Sequence, residues 1–321
     1  MSFTHFLQFP TDDAHHLGFE PFFRENGFVR IDGVFSPEEI SELRDAMDSI
    51  VAEFDPEKHP RTTFNTSDEE KHVSDCYFLE SVDKIRFFYE EAAVDEQSGR
   101  LKVPKEMALN KVGHALHWLD PNFRKFTFHE RIKRIVSLTG AIEPRVMQSM
   151  YIFKQPYIGG ATNEHVDSTF LHTEHPNTLL GIWIALDPAR LDNGCLWFIP
   201  GSHKDPRCLS LTKQYKFTST EAARNERNIA KPSTTGDMLK FLGIRPSFEG
   251  YNFVPVECPA GSLVLIHGDV VHKSGQNLSE NPRHAYTFHL VDFAGESNGW
   301  SATNWLKGND TYEFPELFKN E

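Results

Sequence analysis

Residues 179–186 read LLGIWIAL, an unbroken apolar run that carries two isoleucines and a tryptophan. Runs rich in β-branched and aromatic residues that stand between turn signals predict β-strands. Similar runs lie along the second half of the chain, at residues 147–154, 195–199, 261–267 and 285–291. Many short strands joined by polar turns are typical of a sandwich or barrel, so this half of the chain is predicted to be mainly β.

A helix is predicted to begin after Ser36. Ser36 and Glu39 have the spacing of a capping box, and Pro37 occupies the first helical position, where its missing N–H is tolerated. An apolar face follows at helical spacing, formed by Ile40, Leu43, Met47, Ile50, Val51 and Phe54. Helical patterns return near residues 106–118 and 121–138.

A single domain, residues 1–321, is predicted for the whole chain. About residues 1–140 are expected to form a helical part that packs on a β core of about residues 145–295. A long polar segment, residues 204–254, interrupts the strands and is expected to act as a lid, because long irregular excursions from a β domain are often binding loops.

Composition and charge exclude several classes of protein. With 39% apolar and 25% charged residues, the 321-residue chain is in the ordinary globular range. Its net charge of −13 disfavours nucleic acid and anionic membranes as partners, because both are negatively charged. No apolar stretch is long enough for membrane insertion. The four cysteines form no CxxC pair, and Asp12 and Asp13 lie where a signal peptide would be apolar, so a cytoplasmic protein is expected.

Histidines and carboxylates are the candidates for the chemistry, because the GxGxxG, Walker, GxSxG and HExxH motifs are absent from the sequence. Two histidines and one carboxylate on one octahedral face hold Fe(II) in oxygenases and leave the other positions open. The sequence form is His-x-Asp, because side chains at i and i+2 of an extended segment point to the same side. Three such tripeptides occur, against roughly one expected by chance, at residues 165–167, 203–205 and 267–269.

The first tripeptide fits a metal site best. Too little chain follows residues 267–269 to supply a distant ligand and the rest of a barrel, and residues 203–205 follow a polar turn at the start of the lid. His165 and Asp167 instead precede most of the predicted strands. The candidates for the third ligand are His267, His272, His284 and His289.

His272 is favoured as the third ligand because Arg283 follows it by eleven residues, where the last strand opens. An oxygenase that uses 2-oxoglutarate needs a cation for the far carboxylate of this cosubstrate. The planar guanidinium binds a carboxylate through two hydrogen bonds and keeps its charge. A hairpin from His272 through Ser274 to Arg283 would place the metal ligand and the cation side by side.

At the residues discussed above, the sequence resembles the phytanoyl-CoA dioxygenase family, whose members are Fe(II)- and 2-oxoglutarate-dependent oxygenases. The motifs that carry the resemblance are residues 165–167, 181–186, 193–196, 200–203, 261–265 and 272–274 together with Arg283. Longer similar strings lie at residues 83–88, 110–117, 148–155 and 285–290. The resemblance implies a mainly β fold, a double-stranded β-helix of the jelly-roll or cupin-like type, with N-terminal helices packed on it.

The resemblance also implies roles for individual residues. His165, Asp167 and His272 would ligate Fe(II), and Arg283 with Ser274 would hold the distal carboxylate of 2-oxoglutarate. Three further positions match residues that line the cosubstrate pocket, namely Lys111, Met150 and Trp183. The residue between the first two iron ligands is commonly Gln in the family, and here it is Val166.

The reaction implied is hydroxylation of a small organic substrate, with O2 consumed and succinate and CO2 released. Fatty acyl-CoA is the family's best-known substrate class, and the substrate of this chain stays open, as does its oligomeric state. Two alternatives remain. One is a cupin-like enzyme that uses zinc or manganese without oxidation, and the other is a non-catalytic β-helix that binds a metabolite or a protein.

Overall fold

The computed structural model describes most of the chain, in seven stretches. These are residues 6–8, 13–63, 76–173, 178–219, 239–294, 299–309 and 312–319. The middle of the predicted lid, residues 220–238, lies outside them. None of the helices in these stretches is both long enough and apolar enough to cross a membrane.

Strands make up most of the regular structure in the second half of the chain. In chain order they are β1 (Phe6–Gln8), β2 (Phe28–Asp32), β3 (Ile85–Tyr89), β4 (Leu109–His114), β5 (Pro144–Ile152), β6 (Thr162–His165), β7 (Leu179–Ala185), β8 (Leu196–Phe198), β9 (Lys216–Ser219), β10 (Leu239–Leu242), β11 (Val254–Val256), β12 (Leu263–His267), β13 (His272–Ser274) and β14 (Ala285–Asp292). All five apolar runs noted in the sequence therefore contain a strand.

The α-helices lie mainly before residue 140. They are α1 (Asp13–Asn26), α2 (Pro37–Glu53), α3 (Cys76–Leu79), α4 (Lys105–Ala108), α5 (Leu116–Leu119), α6 (Pro121–Thr127), α7 (Glu130–Ser137) and α8 (Pro206–Thr212). The predicted start of α2 is confirmed, because the Ser36 side chain accepts from the Glu39 amide and the Glu39 carboxylate accepts from the Ser36 amide.

The strands form two principal sheets. An eight-stranded sheet has the order β1-β2-β12-β7-β14-β5-β4-β3, and a four-stranded sheet has the order β11-β8-β13-β6. Apart from the pairing of β1 with β2, the pairings in both sheets are antiparallel. The remaining strands, β9 and β10, pair with each other.

The eight-stranded sheet is covered on both faces. On one face, Ile182 and Leu265 belong to a core that they share with the apolar side of α2. On the other face, Trp183 and Ile266 pack in a cluster with Phe198 of the four-stranded sheet. Successive side chains of a strand point to opposite faces. Burial on both faces therefore explains why the LLGIWIAL segment is apolar throughout.

The helix predicted near residues 106–118 is wrong for much of its length. Helix α4 ends at Ala108, and the next six residues form β4. There, Lys111 pairs with Phe88 of β3 and with Ile152 of β5. Hydrogen bonding to two neighbouring strands satisfies the backbone of β4, so the tertiary context overrides a pattern compatible with a helix. The N-terminal part thus extends the eight-stranded sheet and also supplies the helices.

Candidate metal and cosubstrate site

The two histidines predicted as metal ligands lie on neighbouring strands. The pairing of β13 with β6 sets His272 directly opposite His165, and the centroids of the two imidazole rings are 4.2 Å apart. Asp167 begins a short 3-10 turn after β6. Its Oδ1 lies 3.7 Å from Nε2 of His165 and 3.6 Å from Nε2 of His272. The three predicted residues therefore converge, and one ligand atom of each lies within 4.8 Å of the others.

Backbone carbonyl groups fix the orientation of both imidazole rings. Nδ1 of His165 donates to the carbonyl of Asn163 at 2.8 Å, and Nδ1 of His272 donates to the carbonyl of Val270 at 3.0 Å. A protonated Nδ1 leaves the lone pair on Nε2 of each ring. The two Nε2 atoms are the ones that face Asp167, so each ring presents a ligand atom towards the same point.

The electrostatics of the cluster favour the protonation states that bind a metal. Burial and the neighbouring His272 lower the pKa of His165 to about 4, so the ring is neutral at pH 7. Burial by itself would raise the pKa of Asp167, but the adjacent His272, His289 and His165 outweigh it and hold the pKa below its usual value. A neutral imidazole and an ionised carboxylate are the forms that coordinate divalent ions.

Val166, the departure from the family pattern, packs away from the ligands. It is 1% exposed and lies in a small apolar cluster with Ile199, Cys208, Phe248 and Val271. Because alternate residues of an extended segment point to opposite sides, Val166 fills this cluster while its two neighbours face the cavity. An apolar residue suits this position.

The other His-x-Asp tripeptides have different surroundings. His203 and His267 contact each other, with ring centroids 4.7 Å apart, and Asp269 accepts a hydrogen bond from Ser168 at 2.6 Å. Asp205 caps the N-terminus of α8. Among the described residues, the only group of three or more metal-binding side chains is His165, Asp167 and His272.

Arg283 is a buried cation with incomplete hydrogen bonding. It is 2% exposed, and its Nη2 donates to the Gly194 carbonyl at 3.0 Å and to Oγ of Ser274 at 3.2 Å. Its Nε and Nη1 are buried and have no hydrogen-bond partner among the described residues. Burial lowers the pKa of Arg283 to about 10, so the group stays charged at pH 7. Unpaired donors on a buried cation are costly, which favours an anionic ligand here.

A cavity of about 450 Å³ joins the histidine cluster to Arg283. The other residues predicted to contact the cosubstrate also line it, namely Lys111, Met150, Trp183 and Ser274. The Arg283 guanidinium carbon lies 5.2 Å from the centroid of the Trp183 ring. Lys111 is 5% exposed, and burial holds its pKa well below the usual value. Its place in β4 brings it into the cavity, whereas composition alone favours a solvated helical lysine.

Among the buried ionisable groups that line the cavity, Lys154 and Glu90 were given no role from the sequence. Lys154 is 3% exposed, and its Nζ donates to the carbonyl of Gly160 at 2.6 Å. Burial and the nearby Arg283 lower the pKa of Lys154 to about 7. Glu90 accepts from the Gly160 amide at 3.2 Å, and burial raises its pKa. Lys154 lies in the string of residues 148–155 that supports the family resemblance, but it was given no role there, and Glu90 lies in none of the motifs.

Aromatic side chains form a further wall of the same cavity. The Phe170 ring is 5.8 Å from the His165 ring, which places an aromatic group beside a candidate metal ligand. From Phe170 the ring contacts continue to Phe217 and Phe241, with centroid distances of 5.8 Å and 6.0 Å. Phe78 and Trp305, whose rings are 4.6 Å apart, also line the cavity.

Sequence comparison matches most of the chain to known proteins. A family model described as Phytanoyl-CoA dioxygenase (PhyH) matches residues 23–285. A phytanoyl-CoA dioxygenase domain-containing protein 1 homolog of Caenorhabditis briggsae is 49% identical over 297 residues, which cover 92% of this chain and 97% of that protein. Phytanoyl-CoA dioxygenase domain-containing protein 1 of Rattus norvegicus is 44% identical over 299 residues, covering 92% and 96%.

Solved structures share the fold at low sequence identity. The non-heme alpha ketoglutarate dependent epimerase SnoN superposes with a TM-score of 0.58 at 16% identity, over 95% of this chain and all of that chain. EctD, solved with 2-oxoglutarate and 5-hydroxyectoine, superposes with a TM-score of 0.54 at 15% identity, over 89% of this chain and 77% of that chain. The predicted fold class, a double-stranded β-helix with N-terminal helices, is confirmed.

Proposed function

Because this chain belongs to the phytanoyl-CoA dioxygenase family, we propose that it is an Fe(II)- and 2-oxoglutarate-dependent dioxygenase. It would hydroxylate a small organic substrate, consume O2 and release succinate and CO2. The observation that carries the proposal is a single cavity with two features. One is the cluster of His165, Asp167 and His272, which suits Fe(II). The other is the buried Arg283, which suits a dicarboxylate because its Nε and Nη1 have no hydrogen-bond partner among the described residues.

The residues present fit iron. His165, Asp167 and His272 would hold it through two Nε2 atoms and one carboxylate oxygen, and the carbonyl groups of Asn163 and Val270 keep the rings in place. When bound, the iron supplies the activation of O2 and the oxidation of a C–H bond. The protein contributes the orientation of the ligands and a cavity that is partly shielded from water.

The far end of the cavity fits 2-oxoglutarate. Nε and Nη1 of Arg283 would donate to the distal carboxylate, and Ser274 would add a hydroxyl beside it. Met150 and Trp183 would pack against the methylene groups of the cosubstrate. Burial disfavours the charged form of Lys111, but a bound dianion would favour it, so Lys111 would add positive charge when the cosubstrate is present. This assignment uses every cosubstrate residue expected from the sequence.

The two alternatives explain fewer of these features. A zinc or manganese enzyme without oxidation would use the histidine cluster but would leave the unpaired donors of Arg283 without a purpose. A non-catalytic β-helix would have no need of a complete and correctly oriented set of ligands. The aromatic wall around Phe170 favours an apolar group on the substrate, and an acyl-CoA is one candidate.

Release of CO2 from 2-oxoglutarate tests the proposal. Purified protein with Fe(II), ascorbate and 1-¹⁴C-labelled 2-oxoglutarate should release labelled CO2 slowly even without a substrate. The His272→Ala variant should show no release above a protein-free control, while its circular dichroism spectrum matches that of the wild type. If the wild type releases no CO2 under any metal loading, or if His272→Ala keeps full activity, the proposal is wrong.

A further inference from the structure

The two carboxylate oxygens of Asp167 have different neighbours. Oδ1 faces Nε2 of His165 and Nε2 of His272, at 3.7 Å and 3.6 Å. Oδ2 faces a third imidazole, because Nε2 of His289 lies 3.4 Å from it. Oδ2 is buried and has no well-formed hydrogen bond within the described stretches, so His289 is the group placed to satisfy it.

His289 is held by its neighbours in the eight-stranded sheet. It is 7% exposed and lies on β14, where it pairs with Gln148 of β5 on one side and with Gly181 of β7 on the other. Nε2 of Gln148 lies 3.3 Å from Nδ1 of His289. An amide N–H that donates to Nδ1 leaves the imidazole proton on Nε2, the atom that faces Asp167.

Gly181 leaves the space that the Asp167 carboxylate occupies. A Cβ atom at this position would lie 3.1 Å from Oδ2 of Asp167, 3.3 Å from Cβ of Ile266 and 3.7 Å from Cδ2 of His289. Glycine in the interior of a strand weakens the strand and often marks a close approach of another group. Here the group that approaches is a candidate metal ligand.

We propose that His289, oriented by Gln148 and seated beside Gly181, is a positioning residue that holds Oδ2 of Asp167. This inference rests on the proposed metal site. With Oδ2 engaged by an N–H donor, Oδ1 would be the oxygen of Asp167 left to hold a metal. A carboxylate that binds through one oxygen would leave more positions open for the cosubstrate and O2. His289, a candidate metal ligand in the sequence, thus acts on the metal through Asp167.

Metal affinity measured without turnover tests this role. Anaerobic titration of the full-length protein with Co(II), followed by its visible absorption bands, gives both a dissociation constant and a signature of coordination. His289→Leu removes the N–H donor, and it should weaken Co(II) binding by roughly 10- to 100-fold and change the position or intensity of the bands. His289→Gln places an amide N–H near the position of Nε2 and should restore most of the affinity.

A matched control separates this effect from the loss of any buried histidine. His284 is 9% exposed, directly precedes β14 and binds the Tyr151 hydroxyl at 2.8 Å, outside the lining of the cavity. His284→Leu should leave Co(II) affinity unchanged. Gly181→Ala would place a Cβ 3.1 Å from the same Oδ2 with His289 intact, so it should also weaken Co(II) binding and provides a second perturbation of this oxygen if His289→Leu does not fold.

The outcomes distinguish this inference from the proposed function. If the wild type binds neither Co(II) nor Fe(II), the proposed metal site itself is wrong. If the wild type binds Co(II) but His289→Leu binds it equally tightly with the same spectrum, or if His289→Gln restores nothing that His289→Leu has lost, the positioning role of His289 is wrong.

Discussion

Replacing Arg283 with leucine should raise the KM for 2-oxoglutarate by two to four orders of magnitude. The reason is that Nε and Nη1 of Arg283 are buried, have no hydrogen-bond partner among the described residues, and in the proposed function would donate to the distal carboxylate. Two charge-assisted hydrogen bonds at roughly 1.5–3 kcal/mol each amount to about 3–6 kcal/mol. At about 1.4 kcal/mol for each factor of ten, this corresponds to roughly 10²- to 10⁴-fold in affinity.

The assay is succinate release at a series of 2-oxoglutarate concentrations, with a parallel anaerobic binding titration in the presence of Fe(II). Arg283→Lys keeps a charge but loses the planar fork, so its KM should lie between those of the wild type and Arg283→Leu. Arg145, which pairs with Glu143 and Glu316 outside the cavity, provides a control, and Arg145→Leu should leave the KM unchanged. A KM for Arg283→Leu within threefold of the wild-type value would refute this reasoning.

Three further predictions concern stability. Leu43→Ala removes a fully buried side chain of α2 and should lower the free energy of unfolding by about 2–5 kcal/mol in urea denaturation. Ser36→Ala removes the cap of the same helix and should cost about 1 kcal/mol in the same measurement. Burial lowers the pKa of His117 to about 3, whereas in the unfolded chain it is near 6.5. Between these values the unfolded state binds more protons, so the stability that His117 contributes is present above pH 6.5 and is lost as the pH falls. His117→Gln should therefore show a shallower loss of stability between pH 6.5 and 4, and an unchanged pH dependence would contradict this assignment.

The strands with strong apolar patterns could be predicted from the sequence because their side chains are buried. In β7 and β12 every residue is buried, so the sequence carries a continuous signal. β6 is different. Its sequence is Thr-Asn-Glu-His, all four side chains are partly exposed, and its regular structure depends on pairing with β13. No local preference identifies such a strand, and it is the one that carries His165.

The candidate site was predictable where its residues lie close in sequence and less so elsewhere. The spacing of His165 and Asp167 is a local relation, and it predicted that the two side chains lie together. The hairpin expected from His272 to Arg283 is wrong, because β13 pairs with β6 and β8 whereas β14 pairs with β5 and β7. The two sheets nevertheless bring Ser274 and Arg283 into contact. Lys111 was identified as a site residue only through the family resemblance, because the sequence around it predicted a helix. In the structure, Lys111 lies in β4 instead. The position of Lys154 in the cavity and the wall around Phe170 could not be predicted, since each depends on contacts between distant segments.

The visible absorption of the anaerobic protein with Fe(II) and 2-oxoglutarate tests the central claim most directly. If the histidine cluster binds iron and Arg283 holds the cosubstrate beside it, adding 2-oxoglutarate to the Fe(II)-loaded protein should produce a metal-to-ligand charge-transfer band. Asp167→Ala should abolish that band, and succinate in place of 2-oxoglutarate should not produce it. The absence of any band in folded, Fe(II)-loaded wild type, or a band of full intensity in Asp167→Ala, would contradict the account.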